Sequence, residues 1–139
     1  MNKLRGRVVA VESNGHISLV DVRAEVAAAE GDVFTTTVLE TPDGAPYMQV
    51  GADVALMFKE TEVSLAKNLS GLISLRNRFP VTVRSIEQGV ILSAVGLDYR
   101  GQPLLCIITT RGMVRLELKV GDEVEALVKA NEVVLGSWA

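Results

Sequence analysis

The chain has 139 residues, 48% hydrophobic and 22% charged, a composition that fits one globular domain or two small ones and excludes wholesale disorder. Its 14 Lys and Arg against 17 Asp and Glu leave a formal net charge of −3, which gives no broad electrostatic drive toward nucleic acid or an anionic membrane. A single cysteine, Cys106, and a single histidine, His16, exclude an intrachain disulfide, a multi-thiolate metal centre and any histidine-rich metal site.

In chain order the pattern is alternation rather than helical period. Val20, Val22, Ala24 and Val26 interleave with Asp21, Arg23 and Glu25, the two-residue repeat of a strand with one buried face. The run Ala27-Ala28-Ala29 follows that strand and stops at Gly31-Asp32, which predicts a hairpin tip rather than a helix. Ile91, Ser93, Val95, Leu97 and Tyr99 share one face of a second strand, and Leu104, Cys106 and Ile108 share one of a third. In a fourth, Val124, Ala126 and Val128 oppose Glu123, Glu125, Leu127 and Lys129. Turn signals separate these runs at Ser13-Asn14-Gly15, Glu30-Gly31-Asp32, Pro42-Asp43-Gly44, Glu87-Gln88-Gly89 and Arg100-Gly101-Gln102. Gly112 to Leu118 is the candidate for one short helical turn. Many short strands punctuated by glycine predict an all-β barrel or sandwich. No apolar run approaches membrane-spanning length and the amino end lacks the apolar core of a signal peptide, so a soluble, cytoplasmic protein is expected.

The chain also repeats itself. Val50 to Leu65 aligns with Val120 to Leu135, and 7 of those 16 positions are identical: Val50, Gly51, Val54, Lys59, Glu62, Val63 and Leu65 with their counterparts. The starts echo as well, Asn2-Lys3-Leu4 with Asn77-Arg78-Phe79 and Val8 to Glu12 with Val83 to Glu87, at an offset of 75 rather than 70. The first copy therefore carries 5 extra residues, expected in its central hairpin. The copies span residues 1–67 and 72–139, joined by a short polar stretch. Units of about sixty-five residues are too small to be comfortable alone, so they should pack on one another or on other chains.

Each copy resembles the molbindin unit, a small OB-like barrel of the TOBE type found on molybdate transporter ATPases and molybdate-responsive regulators. The motifs that carry the resemblance are Ile73-Ser74-Leu75-Arg76-Asn77, which matches the family's Ser-Ala-Arg-Asn opening with leucine for alanine, and the closing stretch Val120-Gly121-Asp122-Glu123-Val124 with Leu127 to Val133. The duplication matches tandem molbindins. The resemblance implies two OB-like five-stranded antiparallel barrels in tandem, each with at most one short helix. It also implies molybdate or tungstate bound between subunits of a homo-oligomer, dimer or trimer. Carried over one position at a time, Ser74 and Arg76 fall on the opening serine and arginine, with Leu75 and Asn77 completing that motif. Lys129 falls on the lysine of the last strand, followed by Ala130. Thr109 falls on a threonine that reaches the anion from a neighbouring subunit. Where the family often has a serine three residues later this chain has Gly112, which offers only its backbone N–H. The first copy departs further: Met1 leaves no room for the serine and arginine, Leu39 and Pro42 stand at the threonine and serine positions, and Lys59 alone remains. Pro42 and Pro46 also oppose the short helix expected there. The second copy is thus the expected anion binder and the first a degenerate scaffold.

The chemistry agrees. Molybdate at neutral pH is a tetrahedral dianion with four acceptor oxygens and no proton to give, so its site should supply hydroxyls, N–H groups and fixed positive charge without a nearby carboxylate. Ser74, Arg76, Thr109 and Lys129 are such a set. Taken singly, each also has an ordinary reading: Arg76 and Lys129 as solvated surface charges, Thr109 as a cap on the following turn, Ser74 as a strand start. Lys59 reads as a surface residue, Cys106 as core, His16 as a turn residue, and Trp138 as a packing anchor across a subunit boundary or a loose tail. No P-loop, dinucleotide fingerprint or HExxH motif suggests an enzyme. Single-stranded nucleic acid wants a basic groove with stacking aromatics, and the six aromatics here lie on separate segments. The rival expectation is an oligomerisation or effector module of a larger regulator or transporter, with weak or different ligand binding. A complete chain implies oxyanion storage or buffering, and a fragment implies the effector part of a regulator.

Overall fold

Alternating burial builds nearly every element of this chain. The structure, a computed structural model, describes residues 1–26 and 30–138. The first half contributes β1 (Asn2–Asn14), β2 (Ile17–Glu25), β3 (Glu30–Val38), β4 (Asp53–Phe58) and β5 (Ser64–Ala66). The second contributes β6 (Asn77–Gln88), β7 (Leu92–Tyr99), β8 (Gln102–Thr109), α1 (Thr110–Arg115), β9 (Glu123–Val128) and β10 (Val134–Ser137). One-turn 3-10 segments, Glu60–Glu62 and Ala130–Glu132, precede β5 and β10. The four alternating runs fall on β2, β7, β8 and β9, and Val20, Val22, Val95, Leu97, Cys106, Val124 and Ala126 are all buried. The protein is all-β, with two five-stranded antiparallel sheets.

The two halves exchange their last strands. One sheet runs β10-β4-β1-β2-β3 and the other β5-β9-β6-β7-β8, so each half is closed by the terminal strand of the other. β10 pairs with β4 through Leu135 opposite Leu56, and β5 pairs with β9 through Leu65 opposite Ala126. Between the sheets lies one shared core. Phe34 and Phe58 from the first half meet Phe79 and Tyr99 from the second, with ring centroids 4.8 Å apart for Phe34–Phe79 and 5.1 Å for Phe79–Tyr99. Aromatics far apart in sequence thus form a single buried cluster. Trp138, half-buried, lies under Lys3 Nζ at 4.9 Å and Arg5 Cζ at 5.6 Å, tying the end of the chain to its first strand.

The repeated Val-Gly motif has a backbone cause. Gly51 and Gly121 have φ of +93° and +95°, a region that disfavours any side chain. Each donates its N–H at 2.8 Å to the carbonyl of Val8 or Val83, where a β-bulge interrupts β1 or β6. The five extra residues of the first copy fall in the β2–β3 hairpin. Val22 pairs with Phe34, 12 residues on, whereas its counterpart Leu97 pairs with Leu104, 7 residues on. The expected hairpin tip, Ala27-Ala28-Ala29, lies outside the described residues.

The helix begins two residues earlier than the expected Gly112 and ends at Arg115 rather than Leu118. Thr109 sets its start by accepting a hydrogen bond from the Gly112 N–H, and Glu117, at φ +51°, turns the chain out of it. The first half has turns in place of a helix over residues 42–47, where Pro42 and Pro46 stand.

Candidate functional site

The opening motif runs into β6, and Lys129 and Ala130 leave β9 at the start of the second 3-10 turn. β6 and β9 pair with Asn77 opposite Val128, which brings the two motif segments side by side. Ser74, Leu75, Arg76, Lys129 and Ala130 line one open cavity of about 300 Å³, together with Thr37 of β3 and Asn131. Sequence reasoning found five of these seven and missed Thr37, which comes from the other half, and Asn131. No carboxylate is among the lining residues. Within the described residues the Ser74 hydroxyl, the Arg76 guanidinium and the Lys129 ammonium have no hydrogen-bond or ion-pair partner.

Arg78, two residues further on and within β6, shows the contrast. It makes a fork to Glu125, Nε to Oε2 at 3.0 Å and Nη2 to Oε1 at 2.8 Å. That hydrogen bonding raises the Arg78 pKa and lowers that of Glu125. Arg76 has no such internal counter-ion. With Ala130 it also borders an adjoining cavity of about 300 Å³ lined by Glu12, Asp21 and Thr35, where the Thr35 hydroxyl donates to Asp21 Oδ1 at 2.7 Å. Arg76 and Ala130 are therefore shared by a cavity without carboxylates in its lining and an acidic one.

Asn77 does something other than face the cavity. It is buried, its Oδ1 accepts from the Thr35 N–H at 2.7 Å, and its Nδ2 donates to the Thr35 carbonyl at 2.9 Å. Its amide thus brackets the neighbouring strand and fixes the register of the segment carrying Arg76. Asn2 does the same to Leu105, at 2.7 and 2.8 Å. The repeated asparagine is a seam between the halves.

Thr109 and Gly112 line a different cavity of about 540 Å³, with Thr61, Leu92 and Arg115 on its wall and no residue in common with the first. The Thr109 hydroxyl accepts from the Gly112 N–H at 3.0 Å, the capping role that was the ordinary reading of this residue. The N–H expected from Gly112 is therefore engaged within the chain. In the first half Lys59 is exposed and is followed by Glu60, a carboxylate where the second half has Ala130. Cys106 is fully buried, and burial pushes its thiol up to about 12.

Residues 73–135 match the family model of the TOBE domain. The chain is 46% identical over 81 residues to the Molybdenum import ATP-binding protein ModC of Brucella abortus (strain 2308), covering 58% of this chain and 23% of that one. It is 34% identical over 122 residues to the Molybdenum-pterin-binding protein MopB of Rhodobacter capsulatus, covering 79% of this chain and 45% of that one. It thus spans about a quarter to a half of the length of these curated relatives. Among solved structures it superposes on the cytoplasmic molybdate-binding protein ModG, crystallised with molybdate bound, at a TM-score of 0.89 and 29% identity over 98% of this chain and 95% of that one. With the repeated opening and closing motifs and the paired five-stranded sheets, these matches show that residues 73–135 form a TOBE domain and that the chain as a whole is similar to the molybdate-binding protein ModG.

Proposed function

We propose that this chain binds molybdate or tungstate in the cytoplasm and serves to store, buffer or sense the oxyanion. The observation that carries the reading is the convergence of Ser74, Arg76 and Lys129, three donors without partners among the described residues, on a cavity with no carboxylate in its wall. A tetrahedral dianion asks for that set: a planar fork from Arg76, a compact charge from Lys129 and a hydroxyl from Ser74. Molybdate bound to ModG supports the choice of ligand. Binding without turnover is the activity proposed, since the donor set holds an anion and includes no nucleophile activated by a base.

The cavity is open in a single chain, and a neighbouring subunit is proposed to close it with Thr109, whose hydroxyl hydrogen remains free to be donated while its oxygen caps α1. Exposed Val90, Ile91, Leu92 and Val114 give that neighbour an apolar surface, so a homo-dimer or trimer is proposed. The four rings of the central cluster are buried and are no stacking platform for bases, which favours the oxyanion over nucleic acid. The alternative reading, an effector module of a longer regulator or transporter, draws support from the greater length of ModC and MopB.

Isothermal calorimetry with sodium molybdate tests the site. Arg76→Ala and Lys129→Ala should each weaken binding about ten- to a hundredfold, since a hydrogen bond to a charged group contributes roughly 1.5–3 kcal/mol. Lys59→Ala should leave affinity unchanged. Wild-type affinity in both folded Arg76→Ala and Lys129→Ala proteins would refute the site, and a strong loss in Lys59→Ala would move it to the first half. Mass in solution with and without molybdate tests the assembly, and a strict monomer at saturation would refute it.

A further inference from the structure

On β3 the first half carries three consecutive threonines, Thr35, Thr36 and Thr37, where the second half has Leu105, Cys106 and Ile107 on β8. Registers fix this equivalence, because Phe34 lies opposite Val22 as Leu104 lies opposite Leu97. Two of the hydroxyls have internal work. Thr35 donates to Asp21 Oδ1, and Thr36 donates to the Val133 carbonyl just as the Cys106 thiol does to Val63. The Thr37 hydroxyl has no hydrogen-bond partner among the described residues. It lines the cavity with Ser74, Arg76 and Lys129.

The distribution of hydroxyls follows the donor set. Strand alternation puts Thr37 on the same face as Thr35, and Thr35 borders the adjoining cavity that shares Arg76 and Ala130. The hydroxyl-bearing strand thus runs beside Arg76 on the seam where the unpartnered cations stand. On the opposite seam, where the first half retains only Lys59, the equivalent strand presents Leu105 and Ile107. Strand propensity alone does not separate these choices, since threonine and isoleucine both suit a half-buried strand. A partner-free hydroxyl opening onto two partner-free cations is explained by a ligand that accepts hydrogen bonds.

We infer that Thr37 is an oxyanion-binding residue, a donor supplied by the first half to the site of the second, so that the site is built across both repeats of one chain. The inference rests on the oxyanion reading above. It makes the first half part of the binding site although its own motif is lost. Ligand binding then bridges the two sheets, through β3 on one side and β6 and β9 on the other.

The test is calorimetric titration of sodium molybdate into wild type, Thr37→Val, Thr37→Ser and Arg76→Ala. Valine keeps the β-branched shape and removes only the hydroxyl, so unfolding midpoints without ligand should stay close to wild type. Thr37→Val is expected to weaken binding about tenfold, as loss of one hydrogen bond to a charged ligand requires. Thr37→Ser should bind within about twofold of wild type, which on the same scale is less than one lost hydrogen bond. If Thr37→Val binds as wild type while Arg76→Ala loses binding, the inference is overturned and the oxyanion site stands. If Thr37→Ser is as weak as Thr37→Val, strand shape rather than the hydroxyl is responsible, and the assignment also fails. If Arg76→Ala itself binds as wild type, the oxyanion reading of this cavity falls, and the role of Thr37 with it.

Discussion

Replacing Asn77 by alanine separates the seam from the site. The side chain is 1% exposed, and both of its hydrogen bonds go to the backbone of Thr35, which is itself buried. Truncation leaves a buried strand N–H and carbonyl without their partners. An unsatisfied buried group costs roughly 1–3 kcal/mol, so Asn77→Ala should destabilise the protein by about 3 kcal/mol once both groups and some relaxation are counted. Asn2→Ala is the internal control. It breaks the same pair of bonds to Leu105, but Leu105 is 39% exposed and solvent can replace part of what is lost. Its cost should be about half as large on the same scale. Urea unfolding gives both numbers from the shift in midpoint at constant slope. The two variants should also differ in ligand affinity. Asn77→Ala loosens the residue next to Arg76 and should weaken molybdate binding, whereas Asn2→Ala should leave it near wild type. An Asn77→Ala protein as stable as wild type, or an Asn2→Ala protein less stable than it, would refute the account of these asparagines as seams of unequal depth.

Two further outcomes follow from buried groups. The Tyr99 hydroxyl donates to Asp32 Oδ2 at 2.7 Å and accepts from the Asp32 N–H at 2.9 Å, so Tyr99→Phe should cost about 1–2 kcal/mol in urea unfolding. Burial pushes the Tyr99 pKa from 10.0 to about 12, so the phenol's contribution to stability is complete below pH 10 and is lost as pH rises from 10 to 12. Alkaline absorbance titration of the folded protein should show one phenolate delayed to that upper limit. The Cys106 thiol, fully buried and also raised to about 12, should resist a thiol-reactive disulfide reagent in the native protein and react at once in denaturant. Rapid native labelling would contradict its place in the core.

Much of the fold was legible because one face of each long strand is buried. Val20, Val22, Val95 and Leu97 announce β2 and β7, and the Val-Gly repeat marks a turn that needs positive φ. The exchange of β5 and β10 left no trace. At 3 and 4 residues they are too short to carry a pattern, and the sheet a strand joins is decided by tertiary packing. The helix starts at Thr110, ahead of Gly112, because the Thr109 hydroxyl caps it, and six residues are too few to show a helical period. In the site, Ser74, Arg76 and Lys129 stood out because motif and spacing bring them together within one repeat. Thr37 did not, since it arrives from the other half through a contact no local pattern encodes. The bracket that Asn77 makes on Thr35 was not legible either, because the strand it reaches belongs to the other half.

The asymmetry between the halves has a physical basis in where each kind of residue sits. The positions by which a molbindin repeat would hold an anion are at the surface: Lys59 is exposed, and Leu39, at the threonine position, is 79% exposed. Changing such residues costs little stability, since surface substitutions away from special features usually stay within about 0.5 kcal/mol. The positions by which the halves hold each other are buried. Phe34 and Phe58 pack on Phe79, Asn2 and Asn77 bracket opposite strands, and β4 has no outer neighbour without β10. Losing any of these opens a cavity, leaves buried polar groups unpaired or exposes a sheet edge. On the proposed reading, a tandem chain of this kind can lose one set of ligand residues while the repeat that carried them stays indispensable. The first half closes its partner's core with β5 and, through Thr35, holds the register of the segment that carries Arg76.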